Sequence, residues 1–249
     1  MSRLAQLREK INALDARLHD TLMARAACVS EIARIKNETG IPGASYQPDR
    51  EWAIFQILRD RHHGELNPRD LLDLWRHLMA ATKDLQTPPT VLTPPELMPL
   101  ARAVLGRKTT LIASTLRWHS PADFIVLPWP WDEQRSKTSP WWCTLNPNDW
   151  RVCAALPAWQ DHNEPPRALL ARRTTADKTQ QNPQDRQATD ETPSPERYYL
   201  VRTKAEDPRA RWRHEAHGLI LTAKRDDRDD RDDTVLGSYI PPLRLALTT

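Results

Sequence analysis

Between residues 3 and 37 apolar side chains recur at spacings of three and four: Leu4, Leu7, Ile11, Leu14, Leu18 and Leu22, then Val29 and Ile32. No Gly or Pro interrupts the pattern, which predicts one continuous helix about 50 Å long. Arg25 and Lys36 fall on the same stripe, where leucine is expected. A single chain of this size cannot cover both ends of such a rod, so the pattern predicts a partner chain. Gly40, Pro42 and Gly43 in "NETGIPGASYQ" stop the helix. A second helix starts at Pro48, a favourable first-turn residue, and runs to about Arg61. After the turn "HHGELN", Asn67 caps a third helix that has Pro68 at its first position and runs to about Gln86.

Beyond residue 87 the patterning is less regular. Thr93 and Glu96 have capping-box spacing ahead of "ELMPLARAVLG", a helix ended by Gly106. "DFIVLPW", "DWRVCAALP" and "RYYLVRT" read as short strands. The segment 172–197 has no aliphatic residue larger than Ala and reads as disordered. "KRDDRDDRDD" (224–233) reads as a solvated charged loop. Only three of the 22 prolines (Pro42, Pro48, Pro68) precede residue 87, and eight of the ten tryptophans follow it. That shift divides the chain into a helical unit, 1–87, a stiff proline-rich connector, 88–95, and a smaller accessory α/β region with disordered loops, 96–249.

Composition removes several function classes. The 249 residues carry a net charge of only +3, which does not argue for nucleic acid. Mean hydropathy is −0.70 and no run approaches ~20 apolar residues, so no membrane span is expected. The amino-terminal "MSRLAQLREK" has no apolar signal core. Cys28, Cys143 and Cys153 are odd in number and form no CxxC, which fits a reducing cytoplasm. His62 and His63 lack ligand spacing, so neither metal nor cofactor is expected. Trp129, Trp131, Trp141 and Trp142 are expected in a core rather than as a binding platform.

The polar residues of the helical unit carry the chemistry. Arg25 and Lys36 share the inward stripe, Arg50 and Glu51 open the second helix, and Thr82 and Gln86 are four apart on the third. A buried unpaired charge costs several kcal/mol, on the order expected for desolvation. The inward cations outnumber the carboxylates, and a bound anion would resolve the excess. Two other readings remain open: Arg25 and Lys36 reach the surface, or they pair with Glu31 or Glu51. Arg8 lies 17 positions before Arg25, roughly 25 Å along one helix. One small ligand can touch both only if Arg8 comes from a second, antiparallel protomer.

"LAQLREKINALDARLHDTLMARAACVSEIARIK", then "PDRE", then "LWRHLMAATKDLQ" resembles the AroQ-class (type II) chorismate mutase domain over about residues 4–86. The resemblance implies an all-α three-helix fold in an intertwined dimer that rearranges chorismate to prephenate, in the synthesis of phenylalanine and tyrosine. It implies that Arg25 of one chain and Arg8 of the other grip the two carboxylates of chorismate. Lys36 would reach a carboxylate and the ether oxygen, and Gln86 would donate to that oxygen. Arg50 would support the anionic side, Glu51 would accept from the ring hydroxyl, and Thr82 would contact a carboxylate. Gln47 departs from the Asp or Arg often found just before the second helix.

Such domains are often fused to prephenate dehydrogenase or dehydratase. Six glycines and no GxGxxG exclude the dehydrogenase. "ADFIVLP" is weakly similar to a strand of dehydratase domains, but "ERYYLV" stands where a Thr-Arg-Phe triplet would supply the catalytic hydroxyl. The second unit is therefore expected to be a non-catalytic remnant or a plain accessory module. Within the same fold the alternative is an isochorismate-pyruvate lyase; from another class it is a catalytically inactive helical interaction protein.

Overall fold

The computed structural model describes residues 2–39, 46–114, 121–132, 140–161, 165–174, 197–203, 212–216, 219–224 and 234–245. The expected helices are present: α1 (Arg3–Thr39), α2 (Pro48–Arg61) and α3 (Pro68–Lys83). Proline opens both α2 and α3, and the Asn67 side chain accepts from the Arg69 amide at 2.9 Å. That bond satisfies one of the amides a helix start leaves unpaired.

α3 ends three residues earlier than its pattern predicts. The amides of Leu85 and Gln86 donate to the carbonyls of Thr82 and Lys83, three residues back, so the chain tightens into a turn. The Asp84 side chain is drawn away to accept from the amides of Arg107 and Lys108. Thr82 and Gln86 therefore do not share a helical face, contrary to the expectation from their spacing.

The proline-rich stretch read as a connector contains a strand, β1 (Thr90–Thr93), buried at Val91, Leu92 and Thr93. Its flanking prolines lie outside the ladder, where they remove no strand hydrogen bond. The capping box at Thr93 and Glu96 does not form. Thr93 ends β1, and its hydroxyl donates to the Pro94 carbonyl. A 3₁₀ turn (Pro95–Leu97) leads into α4 (Met98–Leu105).

The rest of the second unit is rich in strands: β2 (Thr110–Ala113), β3 (Phe124–Pro128), β4 (Trp150–Leu156), β5 (Trp159–Asp161), β6 (Ala168–Arg173), β7 (Tyr198–Thr203), β8 (Trp212–Ala216), β9 (Leu219–Lys224), β10 (Thr234–Tyr239) and β11 (Leu243–Leu245). A short helix, α5 (Trp141–Thr144), precedes β4. Among the described residues nine strands form one mixed sheet in the order β2-β1-β3-β6-β4-β10-β7-β9-β8, and β11 pairs with β5. β3, β4 and β7 are the three strands expected from the sequence. Residues 172 and 173 of the segment read as disordered belong to β6, and 175–196 lie outside the described residues. The charged loop likewise falls outside them, at 225–233.

One face of the sheet buries Trp129, Trp141, Trp142 and Trp150 with Ile125, Leu127 and Tyr239. Trp129, Trp141 and Trp142 are core, as expected, whereas Trp131 is only partly buried and packs against that cluster. The other face takes α4 and also Tyr46, which precedes α2 and meets Phe124 edge-on at 6.3 Å. A third cluster joins Phe55 of α2 and Leu72 and Met79 of α3 to Trp159 of β5 and Leu243 of β11. The second unit thus shares its core with α2 and α3, whereas α1 has no buried residue.

Gly106 ends α4 as predicted, at φ +104°, and its amide donates to the Arg102 carbonyl. A Cβ there would lie 2.5 Å from Asp84 Oδ1. Gly106→Ala is expected to cost about 1–3 kcal/mol in backbone strain alone. Thermal unfolding of the variant measures this, and an unchanged Tm would show that Asp84 and the α4 end relax freely.

Candidate functional site

α1 presents two different surfaces. In its carboxy-terminal half Leu22, Arg25, Ala26, Val29, Ala33 and Lys36 are half-buried, at helical spacing, on one face. In its amino-terminal half Leu4, Leu7, Ile11, Leu14 and Leu18 are each at least 50% exposed. Arg8 lies on this uncovered half.

The inward face brings Arg25 to α3. Arg25 Nη1 donates to Thr82 Oγ1 at 3.2 Å. The Thr82 hydroxyl donates in turn to the carbonyls of Leu78 and Met79, at 3.0 and 3.1 Å. Thr82 is buried, so its hydroxyl offers Arg25 a well-placed acceptor. Lys36 lies eleven positions further along the same face, about three helical turns. The carboxylates that could neutralise these cations are committed elsewhere: Glu31 pairs with Arg34 at 2.6 Å, and Glu51 with Lys83 at 2.6 Å. Among the described residues no carboxylate pairs with Arg25 or Lys36.

Glu51 is buried on the first turn of α2, where its charge suits the helix dipole. Burial pushes its carboxyl above the usual carboxylate range, and the ion pair and hydrogen bond with Lys83 pull it partly back. Lys83 is the residue that sequence reasoning missed. It is 6% exposed, its Nζ also donates to the Val104 carbonyl at 2.5 Å, and it lies 4.8 Å from the centre of the Tyr46 ring. A lysine in the last turn of a helix is ordinarily a solvated partner of the helix dipole, so no sequence signal marks it. Burial raises the Tyr46 hydroxyl well above its usual range, with the nearby Glu51 charge adding to it.

The remaining predicted residues lie outside this cluster. Arg50 is exposed. Gln86 is half-buried in the turn after α3. Gln47 precedes α2 without a side-chain cap, and its carbonyl accepts from the Glu51 amide at 3.1 Å. Arg197, read as part of a degenerate dehydratase triplet, instead pairs with Asp49 of α2 and donates to Ser238. It joins the two units. Cys153 is half-buried, desolvation pushes its thiol up to about 11, and it donates to the Leu170 carbonyl as an inert thiol.

α1 therefore presents two cations on one face, Arg25 held to Thr82 of α3 and Lys36 about three turns further along, a charge excess that suits an anion. Comparison with known proteins points the same way. Residues 7–87 match the family model for chorismate mutase type II. A bifunctional chorismate mutase/prephenate dehydratase of Stutzerimonas stutzeri is 32% identical over 89 residues, 34% of this chain and 24% of that protein. One of the same description from Pseudomonas aeruginosa is 30% identical over 88 residues, 34% of this chain and 24% of that protein. The chain thus spans about a quarter of the length of these curated relatives. No solved structure matches it.

Proposed function

We propose that this protein is a chorismate mutase that rearranges chorismate to prephenate in a site built on α1, α2 and α3 and completed by a second copy of the chain. The observation that carries the reading is the pair Arg25 and Lys36, half-buried on one face of α1 and, among the described residues, with no carboxylate to neutralise them. The match of residues 7–87 supports it. The uncovered stripe Leu4, Leu7, Ile11, Leu14 and Leu18 supports a homodimer, because a second α1 packed antiparallel would cover it and carry its Arg8 toward Arg25.

The rearrangement requires no nucleophile and no proton transfer. Its breaking C–O bond gathers negative charge on oxygen. Lys36 and the Gln86 amide donate to that oxygen, and donors already in place stabilise the transition state. Arg25 and the second copy's Arg8 hold the two carboxylates, which keeps the flexible substrate in its reactive conformer. Thr82 keeps Arg25 aimed, Arg50 adds positive potential, and Glu51 accepts from the ring hydroxyl.

The test is to incubate the purified full-length protein with chorismate and identify the product; prephenate establishes the activity. If chorismate persists while isochorismate releases pyruvate, the lyase reading replaces it. If neither reacts, the cations serve structure or binding alone.

The pH dependence follows from the groups named. An amide donates at any pH, so the Gln86 donor imposes no limb and kcat/KM is expected to be flat through neutral pH. Glu51 must be ionised, so activity is present above its titration and lost as pH falls through it. Burial places that loss above the usual carboxylate range. Glu51→Gln removes this acid limb. A limb in the neutral range that survives in Glu51→Gln would count against Gln86 as the ether donor.

A further inference from the structure

Glu51 does not stand alone in the site; it is held from behind by the second unit. Its Oε1 accepts from Lys83 Nζ at 2.6 Å, and that ammonium is anchored on the Val104 carbonyl, in the last turn of α4. The Tyr46 ring, itself fully buried against the sheet, closes over the ammonium. Three contacts from three segments leave Lys83 little freedom to move. The anchor comes from the unit that the sequence reads as accessory.

We infer that Lys83 is a positioning residue: with its anchor on α4 it holds the Glu51 carboxylate, ionised and in place, for the substrate, which makes the strand-rich unit part of the site rather than an appendage. The role given to Glu51 rests on the proposed mutase reading. The arrangement of Lys83 stands on the geometry.

The physical case is one of charge. Burial favours the neutral form of this carboxylate, and a cation in contact opposes it. Among the described residues, Lys83 of α3 and the Tyr46 phenol are the ionisable groups that interact with Glu51. Behind Tyr46 lie Cys153 of β4 and Arg172 of β6, and Asp49 is on α2 itself. Lys83 supplies both effects that favour ionised Glu51, the charge and the hydrogen bond. Its removal would leave only the effect of burial, and Glu51 would take up a proton at higher pH.

The experiment uses the full-length protein as wild type, Lys83→Met, Lys83→Gln and Lys83→Arg, each checked for folding by circular dichroism. Chorismate turnover is followed across pH, and the Glu51 carboxyl is followed by carbon NMR with Glu51→Gln as the assignment control. In Lys83→Met and Lys83→Gln the acid limb of kcat/KM is expected to rise by about one pH unit or more, the size of shift an adjacent opposite charge produces. Turnover at pH values between the old and the new midpoint falls with it. Lys83→Arg restores the limb toward wild type. A purely structural lysine would lower the rate without moving the limb, and that result overturns the inference while leaving the mutase reading intact. If Lys83→Met does not fold, Lys83→Gln, which keeps a donor without the charge, carries the comparison. If the wild type turns over no chorismate, the mutase reading fails. The NMR titration then decides the role of Lys83: an upward shift in Lys83→Gln upholds its hold on Glu51, and an unchanged midpoint overturns it.

Discussion

Lys36→Ala is expected to lower kcat by about a hundredfold or more, the loss typical of removing one donor to developing oxyanion charge. Lys36 is half-buried on the face of α1 that carries Arg25, and among the described residues it has no carboxylate partner. Its ammonium is therefore available to an anion. α1 has no buried residue, so this substitution removes no core packing. The Tm of the variant should stay close to wild type, since surface changes of this kind stay within about 0.5 kcal/mol. Loss of turnover with an unchanged Tm separates chemistry from folding. Lys36→Arg should restore little, because a planar guanidinium does not present a point charge at the same place. A Lys36→Ala enzyme with kcat near wild type would remove Lys36 from the site and leave Arg25 as the only inward cation of α1 assigned to substrate.

The second large effect is expected from cutting the chain after residue 87. A fragment 1–87 should show no cooperative thermal unfolding and no turnover. Tyr46, Phe55, Leu72 and Met79 are each at most 5% exposed in the full chain. Trp159, Leu243 and Phe124, all beyond the cut, are among the side chains that cover them. Uncovering a buried side chain of this size costs about 1.5–3 kcal/mol, and a domain has only about 5–15 kcal/mol in total. The cut also strips Lys83 of the Val104 carbonyl and Asp84 of the Arg107 and Lys108 amides. Far-UV circular dichroism and a melting curve of the fragment test this. A fragment that melts cooperatively and retains turnover would show that a second copy covers those faces equally well.

These two expectations draw on different levels of information. The cations of α1 are legible in the sequence because a helix repeats over a few residues. Arg25 and Lys36 break the apolar stripe, and that break can be seen without knowing what the helix meets. The starts of α2 and α3 at Pro48 and Asn67-Pro68 and the stop at Gly106 are local for the same reason. Each depends on backbone groups within one turn. β3, β4 and β7 follow from short apolar runs.

What the tertiary structure decided are the choices made by groups far apart in the chain. β1 lies in a stretch whose prolines argue for a connector, and it is a strand because β2 and β3 pair with it on both sides. α3 stops before Gln86 because Asp84 bonds to amides more than twenty residues later. Lys83 looks like a solvated helix-terminal lysine until Glu51, Tyr46 and Val104 enclose it. The sequence by itself determined which segments are helical and which cations one helix presents inward, because both follow from near neighbours. Which carboxylate meets a buried lysine, and which unit anchors that lysine, depended on burial and on contacts between distant segments, and these exist only once the chain is folded.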